Sequence, residues 1–113
     1  MSPKTRSLPR RKYAPIFAAL GDETRLALVA TLSRGEPSSI TKLTEGTRLT
    51  RQAVTKHLRV LQRARIVRSV RAGREKLFEL DPARLKQVGE YADTVSKQWD
   101  QALARLKAFV ERD

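Results

Sequence analysis

Between residues 85 and 109 the apolar side chains of Leu85, Val88, Ala92, Val95, Trp99, Ala102, Leu106 and Phe109 recur in alternating steps of three and four. That is the a/d seam of a heptad helix, and Tyr91, Leu103 and Val110 widen it. Asp81-Pro82 supplies an N-cap followed by proline at the first helical position. A helix is therefore predicted from Pro82 to about Arg112, roughly 30 residues and about 45 Å long. A chain of 113 residues builds one modest core, too small to cover a stripe of that length. The seam is expected to pack against its own copy, with Leu85, Val88, Val95, Trp99, Leu106 and Phe109 forming the dimerisation surface. An aromatic residue in a heptad position reads as interface packing, so Trp99 and Tyr91 give no support for a small-molecule effector pocket, although the seam leaves room for one.

Upstream, capping signals divide the chain into short helices. A first helix is predicted over 15–20, with Ile16, Phe17 and Leu20 on one side and Gly21 ending it. Asp22 caps a second, with Leu26, Leu28, Val29 and Leu32 inward and Gly35 closing it. Ser38 or Ser39 caps a third, with Ile40 and Leu43 inward, ending at Gly46. Only Thr47, Arg48 and Leu49 separate it from a fourth helix capped by Thr50, where Leu49 is placed to staple onto Val54. On that fourth helix Val54, Leu58 and Leu61 fall in one narrow stripe, and Gln52, Lys56, Arg59 and Arg63 fall opposite. Two helices joined by a tight turn after glycine match a helix-turn-helix, whose second helix enters the major groove of DNA. Strands at 66–70 and 76–80 follow, joined across Arg71-Ala72-Gly73-Arg74, a hairpin signal with two arginines at its tip.

The net charge is +12, and it is concentrated. Residues 1–12 carry five basic groups and no acid, and residues 48–76 carry ten against the single acid Glu75. The remaining segments, 13–47 and 77–113, are each one unit negative. Charge kept for solubility is spread with mixed signs; charge confined to one stretch is a footprint for a polyanion. The basic stretch is not one amphipathic helix with bulky apolar anchors, which disfavours a membrane surface. It holds no aromatic residue for stacking on single-stranded bases, which favours duplex DNA over RNA. Residues 1–12, with Pro3, Pro9 and like charges, are predicted to be a disordered basic arm; DNA contact and a solvated tail both remain open for it.

Enzyme chemistry finds no footing. Cysteine is absent and His57 is the single histidine, so there is no thiol nucleophile, thiolate metal site or histidine pair. His57 lies at the edge of the core stripe and reads as a structural residue. No metal site and no cofactor are expected. No apolar run approaches the length of a membrane span, and the expected location is the cytoplasm.

The order of elements and three motifs resemble the ArsR/SmtB-type winged helix-turn-helix repressors. Leu20-Gly21-Asp22-Glu23-Thr24-Arg25 is similar to their second-helix opening. Leu49-Thr50-Arg51-Gln52-Ala53-Val54-Thr55-Lys56-His57-Leu58-Arg59-Val60-Leu61 is similar to their recognition helix, and Arg71-Ala72-Gly73-Arg74 to their wing tip. The likeness extends over about residues 14–110, and more loosely the chain also resembles the subgroup with a Trp-bearing C-terminal helix and no thiol metal ligands. One departure stands out: Ala64-Arg65-Ile66-Val67 replaces the usual Ala-Gly-Leu-Val, so Arg65 occupies a position that the family gives to glycine.

The resemblance implies a mainly α fold with a small β-hairpin wing and a long C-terminal dimerisation helix. It divides the chain into the arm 1–12, a DNA-binding domain 13–81 and the dimerisation helix 82–113. A homodimer would place two recognition helices on a palindromic operator and repress transcription. Gln52 and Lys56 would read bases, Thr50, Arg51, Thr55 and Arg59 would hold phosphates, and Arg71 and Arg74 would reach the flanking backbone or minor groove. The alternatives are non-specific architectural binding of nucleic acid, and an adaptor that recruits a protein partner through the C-terminal seam.

Overall fold

A computed structural model describes residues 10–112. Along them run α1 (Arg10–Leu20), α2 (Glu23–Ser33), β1 (Ser38–Ser39), α3 (Ile40–Glu45), α4 (Arg51–Arg63), β2 (Val67–Ala72), β3 (Glu75–Leu80) and α5 (Pro82–Glu111). This is the expected mainly helical architecture with a small hairpin wing. The predicted caps act as such. Asp22 Oδ2 accepts the N–H of Arg25 at 3.0 Å, Ser39 Oγ that of Lys42 at 3.1 Å, Thr50 Oγ1 that of Ala53 at 3.1 Å, and Asp81 Oδ1 that of Ala83 at 3.0 Å. Each satisfies a donor that has no partner inside its own helix.

The stripe on α4 is the centre of the core: Val54, Leu58 and Leu61 are at most 1% exposed. Ile16 of α1, Leu28 and Leu32 of α2, Leu43 of α3 and Phe78 of β3 close around it. Fully burying one such side chain contributes about 1.5–3 kcal/mol, so rotating α4 about its axis would be costly and its polar face is fixed outward. The end of α4 is equally well determined. The Arg65 N–H donates to Gln62 O at 2.9 Å and the Ile66 N–H to Leu61 O at 3.0 Å, the paired bonds of a Schellman motif. Arg65 takes φ 64° there, the conformation usually given to glycine, at a cost of about 1 kcal/mol. Arg84 of α5 donates from Nε to the adjacent Ala64 carbonyl at 2.8 Å, satisfying another end group of α4.

The three strands are antiparallel in the order β1-β3-β2. Ala72 pairs with Glu75, so the hairpin turns on Gly73-Arg74 alone, and each strand runs closer to the tip than the expected 66–70 and 76–80. Gly73 has φ 66° while Arg74 does not have positive φ, the pattern of a type II′ turn. β1 was not anticipated: Ser38 pairs with Phe78 and Ser39 with Leu77, but two serines carry no apolar alternation to announce a strand.

Three other expectations are corrected. α1 begins at Arg10, not at Pro15, so Arg10, Arg11 and Lys12 of the expected arm are helical; residues 1–9 lie outside the described residues. The extra turn is held by packing, since Tyr13 is buried and its ring lies 4.6 Å from that of Tyr91. Phe17 is not an inward residue but sits at an exposed edge, with its ring 5.3 Å from Tyr91. Leu26 is 53% exposed, because it lies about 200° around α2 from buried Leu28. Leu85 and Val88, expected in the dimerisation surface, are half-buried and pack in part against the protomer's own core, as does Tyr91. From Val95 onward the seam is bare: Trp99 is 63% and Phe109 68% exposed, with Leu103, Leu106 and Val110 also open. No helix among the described residues is long and apolar enough to cross a membrane.

Candidate nucleic-acid interface

The outer face of α4 presents Arg51, Gln52, Lys56 and Arg59 to solvent. With Thr55 they line a shallow concavity of about 450 Å³. The buried stripe sets this display, because positions opposite Val54, Leu58 and Leu61 have nowhere to go but outward. Arg71 and Arg74 are exposed at the hairpin end. The structure thus puts all eight residues expected to meet DNA on α4, at its cap or at the wing, seven of them exposed and Thr55 half-buried.

Hydrogen bonds refine what each can do. Thr50 Oγ1 accepts from Ala53 N, which leaves its hydroxyl proton for a phosphate. Thr55 Oγ1 donates to Arg51 O at 2.8 Å, so its proton is engaged within the helix and must turn outward to serve a phosphate. Arg51 Nη1 donates to Thr41 Oγ1 of α3 at 3.1 Å, which holds the guanidinium in place while its other donors stay open. Gln52 and Lys56 are exposed, and their side chains suit adenine N6/N7 and guanine O6/N7 respectively.

Beneath the interface lies a polar junction that sequence patterns did not reveal. Arg25 of α2 donates from Nε to Ala19 O of α1 and, through Nη1, to His57 Nδ1 of α4 at 3.2 Å. Arginine has only donors, so Nδ1 is the acceptor and the ring proton sits on Nε2. Asp22 Oδ2 lies 3.8 Å from the same Nδ1. The backbone hydrogen bond from Arg25, aided by the nearby Arg25 charge, holds the Asp22 carboxyl below the usual carboxylate range. His57 is therefore a strut that ties α4 to the α1–α2 corner, the structural role expected of it. The only sequence signal for its partners was the opening of α2, Asp22-Glu23-Thr24-Arg25. Among the described residues no group of three or more His, Asp or Glu side chains is placed to hold a metal ion.

Comparison with known proteins agrees with this geometry. Residues 20–70 match a helix-turn-helix domain family. The chain is 33% identical over 97 residues to the HTH-type transcriptional regulator Rv2034 of Mycobacterium tuberculosis, covering 86% of this chain and 87% of the relative. Among solved structures it is similar to an ArsR-like transcriptional regulator from Rhodococcus sp. RHA1, with a TM-score of 0.75 and 35% identity over 89% of this chain and 94% of that one. It also superimposes on the homodimeric winged helix-turn-helix DNA-binding domain of Mb0332 from Mycobacterium bovis, a possible ArsR-family regulator, with a TM-score of 0.62 over 85% of this chain and 94% of that one. At 14% identity the last is a likeness of fold alone.

Proposed function

The chain belongs to the ArsR-like family of helix-turn-helix transcriptional regulators, and from that premise we propose that it is a repressor that binds a palindromic duplex DNA operator as a homodimer. One observation carries the proposal: α4 buries its whole apolar stripe and turns Gln52, Lys56 and Arg59 outward beside a hairpin tipped with Arg74. A helix of this width fits the major groove. Gln52 and Lys56 read base edges; Thr50, Arg51 and Arg59, with Thr55 after its hydroxyl turns, hold phosphates and fix register; Arg71 and Arg74 reach the flanking backbone or minor groove. In this scheme residues 13–81 meet DNA and 82–113 pair the copies, the free part of the pairing surface being Val95, Trp99, Leu106 and Phe109. Two recognition helices about 34 Å apart then meet successive major grooves, and operator occupancy excludes polymerase. A cytoplasmic location follows from the role.

A selection from a random duplex library with the full chain tests the proposal. Recovery of an inverted repeat, bound with an affinity that falls steeply with salt as about 6–10 phosphate contacts require, is the expected result. Recovery of no shared sequence, with uniform binding to any duplex, would favour the architectural alternative. A bare α5 face also suits an adaptor; a chain that stayed monomeric and failed to bind duplex DNA would favour that alternative.

A further inference from the structure

A second concavity, of about 310 Å³, lies between the starts of α3 and α4 and the hairpin tip, walled by Thr41, Arg51, Arg74, Glu75 and Lys76. Three of these side chains are cations, Arg51 from α4 and Arg74 and Lys76 from the hairpin. Among the described residues none of the three has an acid within ion-pair distance; the hairpin's ion pair is Arg68 with Glu79, on its other face. Strand alternation places Lys76 on the same face as buried Phe78, and its Nζ lies 5.6 Å from the centre of that ring. Lys76 is thereby turned toward α3 and α4 rather than away from them. Arg71 stands directly opposite Lys76 in the β2–β3 register, on the same face. Like charges directly opposite across two strands destabilise a hairpin, so this arrangement is unfavourable until an anion stands beside it. Thr41, meanwhile, holds the Arg51 guanidinium at the other wall.

We propose that this crevice seats one backbone phosphate of the bound duplex, held by Arg51, Arg74 and Lys76 with Thr41 positioning Arg51. The inference rests on the reading of α4 as the recognition helix. If α4 lies in a major groove and the hairpin tip reaches the adjacent minor groove, the strand that divides those grooves crosses between them. The crevice is the space between those two elements. Lys76 and Thr41 thereby join the interface, and Glu75 becomes the one acid in its wall, opposing the bound strand.

Methylphosphonate scanning tests this directly. A duplex recovered by selection with the full chain is prepared with an uncharged methylphosphonate at each successive position, placed symmetrically in both half-sites. In the wild type, one position per half-site outside the bases read by α4 should weaken binding about tenfold, the worth of a charge-assisted hydrogen bond. Lys76→Ala should cost a similar factor on the unmodified duplex and nothing further at that position, since the partner is already gone. Thr41→Val should weaken binding less, and Glu75→Gln should tighten it roughly two- to threefold. If the full chain selects and binds a duplex, yet the Lys76→Ala loss adds fully to the methylphosphonate loss at every position, the phosphate seat is wrong while the recognition-helix assignment stands. A full chain with no affinity for any duplex would overturn both together. If Glu75→Gln weakened binding, the sign of the crevice's electrostatics would be contradicted.

Discussion

α4 and the distal half of α5 are both amphipathic helices, but they end in opposite conditions. On α4 the apolar stripe of Val54, Leu58 and Leu61 is fully buried and the polar face is free. On α5 from Val95 onward the polar face is free as well, but so is the apolar one: Trp99, Leu106 and Phe109 stand in solvent. The first helix is completed by its own chain, and its useful surface is what remains outside. The second is incomplete, and its useful surface is the apolar stripe itself. α5 changes character along its length, because Leu85, Val88 and Tyr91 pack, half-buried, against the protomer's core and anchor the exposed half like a lever arm. Exposed apolar patches of this extent mark association surfaces.

Substitutions that treat the two helices alike should therefore give unlike results. The largest effect on folding is expected at Leu61→Ala, where a buried leucine lost to a cavity costs about 2–5 kcal/mol; denaturant unfolding reads it, and the loss should not depend on protein concentration. The matched change Leu106→Ala should leave the protomer's own stability within about 0.5 kcal/mol while lowering the unfolding midpoint at high protein concentration and weakening its dependence on dilution. On the outer face of α4, Lys56→Ala should cost about 1–3 kcal/mol on the selected operator and little on random duplex, whereas Arg74→Ala should weaken both alike; parallel titrations distinguish them. A smaller effect, of the opposite sign, is expected at Arg65→Gly, which relieves the φ 64° conformation and should stabilise the protein by up to about 1 kcal/mol.

The smallest effect concerns pH. Because the folded Asp22 carboxyl lies below its ordinary range, its contribution is fully present at neutral pH and is lost as pH falls through the folded value. Asp22→Asn keeps a capping side chain and should flatten the acid limb of the stability curve with little change near neutrality. An unchanged acid limb would detach Asp22 from the α2–α4 junction.

Local signals explain what the sequence disclosed. The cap at Thr50, the stripe of α4 and the three-four seam each repeat within a few residues, and the glycine at 73 marks its turn by the positive φ it adopts. What stayed hidden depends on partners far along the chain. Arg25 meets His57 across 32 positions, and no periodicity encodes such a pair. Tyr13 packs on Tyr91, which extends α1 upstream of its expected start at residue 15. Leu85 and Val88 share the heptad pattern with Trp99, so the pattern alone could not say where the protomer's core ends and the bare seam begins.

The difference between the two helices is tested most directly by Trp99→Ala. A buried tryptophan truncated to alanine costs about 3–5 kcal/mol, and a twofold interface loses the contact twice. Sedimentation velocity on wild type and variant, at matched low micromolar concentration and alongside binding to full and half operators, gives the answer. The wild type should sediment as a dimer, and the variant should shift to a folded monomer that binds the half operator as before but loses the gain from the second half-site. A Trp99→Ala protein that remained dimeric and bound the full operator with wild-type affinity would contradict the account, since the bare half of α5 would then not be the surface that pairs the copies.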